Sequence, residues 1–254
     1  MSSHDAELAK AFDGQAARFE RAPVQTDPVA LARMVAFADL APDSLVLDAG
    51  CGPGIVCEAF LAAGHRVHGV DLSTEMVRRA RERCARFGER AHFEQGSVHD
   101  LRPQAIFDAA VSRFVLHHVV DPHAFLAAQV ARLRKGAALV ACDQVTDPDA
   151  AAAQWHQEIE RARDRTHMRN LTSGELADAL ARAGLAGVRL EEDEFTLDFD
   201  EWFDRGTPAA DKPEVRKRVL LRSARGFTVR IQDDRRISIR CLRVLARGVR
   251  ADDL

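Results

Sequence analysis

The sequence predicts an α/β fold: a mostly parallel sheet with helices on both faces. Three observations predict it. Between residues 44 and 143, short apolar runs alternate with segments of helical periodicity. The first run passes through three glycines at alternate positions, Gly50, Gly52 and Gly54, straight into a helix. After Asp143 the alternation breaks, and the chain closes on two strand-like runs around a polar turn. Strands alternating with helices fold as βαβ units with right-handed crossovers.

The elements follow in order. Residues 5–20 carry Leu8, Phe12, Ala16 and Phe19 at helical spacing, which predicts an amphipathic helix. Thr26-Asp27-Pro28 starts a second helix, with a capping side chain and then Pro at its first position. Leu31, Met34, Val35 and Ala38 form its buried face. Strands are predicted at 44–49, 66–70, 91–95, 107–112 and 137–143. Helices are predicted at 55–63, 73–87 and 121–134, the first two closed by Gly64 and Gly88. Asp147-Pro148 opens a helix to about residue 165. Thr172-Ser173-Gly174-Glu175 has the form of a capping box for a helix ending near Gly184. Residues 188–197 are strand-like and 215–224 helical. Residues 227–231 and 237–246 flank Gln232-Asp233-Asp234-Arg235 as a β-hairpin.

A chain of 254 residues with 46% hydrophobic content can bury one sizeable core, so a single domain spanning 1–254 is expected. Its parts are N-terminal helices (1–40), a half carrying the glycine loop (41–145), and two cap segments over the sheet (146–171 and 198–225). The net charge of -3 points to neither nucleic acid nor a membrane surface. Basic residues do concentrate from 205 to 250, by roughly three to one over acids. That stretch reads either as solvated surface or as a surface for an anionic partner. The five cysteines form no C-x-x-C pair and no zinc spacing with histidine, so reduced thiols and no metal are expected. The polar N-terminus and the lack of a long apolar run predict a cytoplasmic protein without a membrane span. The oligomeric state is left open between monomer and homodimer. With no tyrosine in the chain, one common general base is excluded.

Leu45-Val46-Leu47-Asp48-Ala49-Gly50-Cys51-Gly52-Pro53-Gly54 is the most informative stretch. Glycines let the backbone turn sharply and approach a ligand closely. Ligands of open parallel sheets bind beyond the carboxyl ends of the strands. The spacing G-x-G-x-G is not the G-x-G-x-x-G of a dinucleotide site, and Asp48 would repel a pyrophosphate. A carboxylate there suits a cationic ligand, such as an amino group or a sulfonium. Asp71 ends the next strand, where an acid accepts hydrogen bonds from ribose hydroxyls. Its bland role is to cap the following helix, a place Ser73 can already fill.

With these motifs the chain resembles a class I S-adenosylmethionine-dependent methyltransferase, similar to the small-molecule branch that includes the ubiquinone/menaquinone C-methyltransferases. The resemblance covers roughly residues 12–195. It implies a Rossmann-like seven-stranded sheet whose last strand is antiparallel, with helical cap insertions. It implies S-adenosylmethionine as cofactor and S-adenosylhomocysteine as product. By the family pattern Asp48, Gly50, Cys51 and Gly52 line the methionine end, and Asp71 holds the ribose with Leu72 and Met76 nearby. The family's acid for the adenine amine is replaced here by Ser97, so either Ser97 makes a weaker contact or Asp100 substitutes. Val98 packs on adenine through its backbone. Ser112 and Arg113 lie near the methionine part, and Leu116 or His117 near the transferred methyl.

A sulfonium methyl is already electrophilic, so a base is needed only when the acceptor carries a proton of high pKa. His117, Asp143 and His167 are the catalytic candidates, with His118 and His156 beside them. Each could equally be packed, capping or solvated. Trp155 and Trp202 are candidate aromatic walls, or simply core. Three functional classes are expected to compete: a methyltransferase acting on O, N or C of a small molecule; one acting on RNA or protein; and a related protein that binds the cofactor without transferring methyl. A dinucleotide oxidoreductase is a poor fourth. The acceptor itself is not readable.

Overall fold

The computed structural model describes residues 3–102 and 104–251; residues 1–2 and 252–254 of the expected domain lie outside the described residues. Strand β1 (Leu45–Ala49) is central, and Val46 through Ala49 are almost wholly buried. A continuous apolar run of this kind is what a strand covered on both faces requires. It pairs in parallel with β2 (Arg66–Asp71) on one side and β4 (Phe107–Arg113) on the other. The sheet runs β3-β2-β1-β4-β5-β8-β6, with β3 (Ala91–Gln95) and β5 (Leu133–Gln144) also parallel to β1. Strand β8 (Ile237–Arg250) runs antiparallel to both its neighbours, β5 and β6 (Leu185–Asp198), so β6 points the same way as β1–β5.

The Rossmann-like α/β class is as predicted, with eight strands rather than seven among the described residues. β7 (Phe227–Ile231) pairs with the first part of β8, where β5 has already ended. The hairpin β7–β8 was legible from its polar turn.

Alternation along the strands divides the core. Leu47, Ala49, Val70, Ala110 and Leu139 pack under α6 (Pro122–Val130) and α8 (Ser173–Arg182). Val46, Val67, Ala109 and Val111 pack with residues of α3 (Pro28–Ala38), α4 (Ile55–Ala62) and α5 (Thr74–Cys84). A third cluster joins Ile159 of α7 (Ala150–Arg163) to Trp202 and Phe199 of α9 (Phe199–Asp204) and Val215 of α10 (Lys212–Val219). It sits against Phe227, Ile237 and Ile239 of the extra hairpin, so Trp202 is core, and it also lines a small pocket beside His167.

Several boundaries moved. The helix expected over 121–134 stops at Val130, because β5 starts at Leu133 and bulges at Gly136, whose φ is 74°. The helix expected over 73–87 is α-helical only to Cys84 and ends as a 3-10 turn. α7 is capped by Asp149, while Asp147 instead accepts from the backbone N–H groups of Asp149 and Arg225. α10 begins three residues early, capped by Asp211 with Pro213 in its first turn. The predicted caps Asp27 and Thr172 are present, the second as a full capping box with Glu175. A short helix, α2 (Pro23–Thr26), was not foreseen. α1 (Ser3–Phe19) lies over the carboxyl end of the sheet. Its Asp13 accepts from Ser73 Oγ (2.6 Å) and from the N–H of Glu75 (3.1 Å), which ties it to the start of α5.

Candidate active site

The glycine loop connects β1 to α4. Gly50 and Cys51 both donate their N–H to the carbonyl of Val70, which turns the chain back across β2. At Gly50 (φ 76°) a Cβ would stand 2.6 Å from Val115 Cγ2. At Gly54 (φ 79°) it would stand 2.9 Å from the backbone of Ala80 on α5. Neither position accepts a side chain without displacement.

Asp71 closes the loop from the other side. Its Oδ2 accepts from the N–H of Gly52 (2.8 Å) and its Oδ1 from that of Ser73 (2.9 Å). Ser73 then caps α5 through Met76 N–H. Ser73 is therefore the cap, and Asp71 steadies that cap residue while facing the cavity. Burial raises its pKa, against the lowering effect of those two N–H bonds.

These elements enclose a cavity of about 290 Å³ at the carboxyl end of the sheet. Asp48, Gly50, Cys51 and Gly52 line it from the loop, and Asp71, Leu72 and Met76 from β2 and α5. Ser97 and Val98 line it beyond β3, and Arg113 at the end of β4. Leu8, Phe12 and Phe19 of α1 form its roof, a role the amphipathic pattern did not reveal. Two placements correct the expectation. Ser112 is buried away from the cavity, and its Oγ has no hydrogen-bond partner among the described residues. Adjacent strand residues face opposite sides, so only one of Ser112 and Arg113 can reach the wall. Asp100 does not reach it either: its Oδ2 accepts from Ser97 N–H at 3.0 Å, which leaves Ser97 at the surface.

The electrostatics of the cavity are bipolar. Asp48 is 1% exposed and accepts one hydrogen bond, from Cys57 Sγ at 3.0 Å. Burial pushes its pKa up to about 7, with Asp71 adding to the rise and Cys57 and Arg113 opposing it. Arg113 is held by the carbonyls of Val24 (2.6 Å) and Gln25 (2.9 Å). Its guanidinium lies 4.8 Å from the ring of Phe114. A buried acid and a buried base on one wall match the two charges of an α-amino acid headgroup.

A second, smaller pocket of about 40 Å³ adjoins the first through Phe19, Gln25, Phe114 and His118. Phe114 has φ 57°, a conformation bulky residues rarely hold, and nothing in the sequence announced it. His117 and His167 line this pocket. His117 Nδ1 lies 2.5 Å from Asp143 Oδ1, and no hydrogen bond among the described residues engages its Nε2. Asp143 is itself anchored, accepting from the N–H groups of Leu116 and Gln144 at 2.7 Å. Burial lowers the His117 pKa, but the charge and hydrogen bond of Asp143 outweigh it and the net direction is up.

The other histidines are committed elsewhere. His167 Nε2 meets Gln157 Oε1 at 3.0 Å, and that oxygen also accepts from Asn170 N–H while Gln157 Nε2 donates to Asn170 carbonyl. The amide orientation is thereby set, so His167 must donate through Nε2. His118 Nδ1 donates to the carbonyl of Thr166 (3.1 Å), and burial together with His117 lowers its pKa to about 4. His156 is wholly buried between Thr146 and Gln144.

Residues 25–190 match a family of methyltransferase domains. The chain belongs to that family. It is 26% identical over 184 residues to an uncharacterized methyltransferase, YcgJ, of Bacillus subtilis, covering 72% of this chain and 73% of that one. The crystal structure of YcgJ superposes with a TM-score of 0.79 at 25% identity, over 87% of this chain and 98% of its own. A ubiquinone biosynthesis O-methyltransferase of Maricaulis maris is 33% identical over 110 residues, 42% of this chain and 43% of that protein. The match thus spans less than half of that O-methyltransferase. A Burkholderia thailandensis 1,6-didemethyltoxoflavin-N1-methyltransferase bound to S-adenosylhomocysteine shares the fold, with a TM-score of 0.54 at 22% identity, over 90% of this chain and 81% of that one.

Proposed function

We propose that this chain transfers a methyl group from S-adenosylmethionine to an oxygen, nitrogen or carbon of a small-molecule acceptor. The observation that carries the reading is the pairing of Asp48 and Arg113 on one cavity wall beside the glycine loop and Asp71. That donor set fits the cofactor: Asp48 takes its amino group, Arg113 its carboxylate, and Asp71 its ribose hydroxyls. Gly50, Cys51 and Gly52 supply a wall without bulk, and Leu72, Met76, Ser97 and Val98 line the adenine end.

When bound, the cofactor supplies an electrophilic methyl group. The protein's part is to hold the acceptor in line and to take its proton where it has one. Asp143 fixes His117 with the proton on Nδ1, which leaves a lone pair at Nε2 of a ring that lines the small pocket. His117 is the base in this reading and Asp143 positions it. His167 is a wall of the pocket, because its Nε2 is bound to Gln157. An acceptor with an acidic hydroxyl, such as a phenol or enol, suits a base of this strength.

The acceptor enters beneath the cap segments 146–171 and 198–225 of a single domain, 1–254. The net charge of -3 favours a small-molecule over a nucleic-acid acceptor, and part of the basic C-terminal stretch is paired: Arg225 with Glu192, Arg240 with Glu194 and Arg243 with Asp193. All five cysteines are free and buried, which suits the cytoplasm, and no described helix is long and apolar enough to cross a membrane.

The test is calorimetric. S-adenosylhomocysteine should bind the purified protein and NAD should not; tight NAD binding with no response to the homocysteine nucleoside would overturn the reading. A screen of phenols, quinols and amines, read by S-adenosylhomocysteine release, then identifies the acceptor.

A further inference from the structure

Away from the cavity, at the β2–β3 edge of the sheet, three side chains with metal-binding atoms gather on one face. His68 of β2 and His92 of β3 are direct partners in the parallel register. Glu94 lies two residues further along β3, so the pleat returns it to the same face as His92. The two imidazoles stand 4.6 Å apart, edge to face, and His68 Nε2 is 3.4 Å from Glu94 Oε2. One ligand atom from each residue lies within 4.8 Å of the others. None of the three lines either pocket of the candidate active site.

His68 is the informative member. Its Nε2 is buried and has no hydrogen-bond partner among the described residues. A buried orphan nitrogen is rare without a reason. Phe107 packs on the His68 ring at 5.7 Å and fixes its plane.

We propose that His68, His92 and Glu94 form a binding site for one divalent transition-metal ion of the zinc type, with water completing its coordination. Two imidazoles and one carboxylate are a common zinc donor set. A tetrahedral ion with bonds of about 2.0–2.1 Å needs its donor atoms about 3.4 Å apart. His68 and Glu94 already have that spacing. His92 is exposed at the sheet edge and free to swing the remaining distance, at most about 1.4 Å on the same geometry. The ion would staple the edge strand to β2. Glu94 precedes Gly96 by two residues, and Gly96, Ser97 and Val98 line the cofactor cavity. The staple would therefore sit directly beneath the adenine-end loop.

The experiment is zinc titration of chelator-treated full chain by calorimetry, with the histidine ring resonances followed by NMR. One zinc ion per chain is expected, with the His68 and His92 signals moving together. His92→Ala and Glu94→Gln should each weaken binding at least tenfold and abolish the rise in melting temperature that zinc gives the wild type. His92 is exposed and Glu94 half-buried, and unchanged melting of the metal-free variants shows that folding is intact. No binding by the wild type overturns the proposal. So does equal binding by the variants, since zinc then sits elsewhere, for instance among His117, His118 and His167.

Discussion

The charge state of Asp48 makes cofactor binding a proton-release event. In the free protein burial holds Asp48 near pKa 7, so at pH 6 about nine molecules in ten carry the proton, by simple titration. A cationic amino group about 4 Å away contributes about 4 kcal/mol at an effective dielectric of 20, or about three pH units. That is enough to ionise Asp48 fully in the complex. Affinity for S-adenosylhomocysteine should then fall about tenfold from its plateau near pH 7.5 to pH 6, approaching a factor of ten per unit below that. Above about pH 8 the ligand's own amino group loses its proton, so the profile has a maximum. Calorimetry from pH 5.5 to 8, in buffers of different ionisation enthalpy, reads both the affinity and the protons released. About one proton should leave at pH 6. Asp48→Asn should bind more weakly, with a flat acid side and no release. A flat wild-type profile refutes the argument. Release that persists in the variant assigns the proton to Asp71, whose pKa burial also raises.

Two further outcomes follow from the same geometry. Asp143→Asn removes the charge that holds the His117 pKa up and presents an amide where a carboxylate accepted three donors, so turnover should fall about 10²–10⁴-fold. A base must be neutral to act, and the wild-type rate therefore rises with pH through a raised pKa. In the variant that acid limb should move to lower pH, and a pH–rate profile showing it unmoved would remove His117 from the mechanism. Gly54→Ala forces a Cβ against Ala80 at a positive φ and should destabilise the protein by about 2 kcal/mol, measured by urea unfolding.

How much of this the sequence discloses depends on how far apart the partners lie in the chain. The glycine loop, Asp48 and Asp71 were readable because strand, turn and helix follow one another directly and their chemistry is local. The capping box at Thr172 and the hairpin at Gln232 were readable for the same reason. Boundaries were misread where a strand outcompeted a helix, as at Leu133, whose pairing with Phe107 is a contact no local propensity contains.

The site shows the same division more sharply. His117 and Asp143 were each suspect, yet what makes them useful is that they are a pair. Register decides that: Arg113 at the end of β4 lies opposite Cys142, so Asp143, the next residue of β5, comes up beside the turn that follows β4. Register also places His68 beside His92, although His92-Phe93-Glu94 alone is only a period-two pattern on a strand. Asp13 reaches Ser73 across 60 residues to hang the roof of the cavity on α5. Parity works against the reading as well, since Ser112 and Arg113 were expected together and a strand can present only one of them to the wall. The chemistry of individual residues is thus written locally, but the pairing that turns a histidine into a base belongs to the order of strands in the sheet. A sequence reader who first derives that order, β1 between β2 and β4 and β5 beyond, can predict the His117–Asp143 contact from strand ends alone.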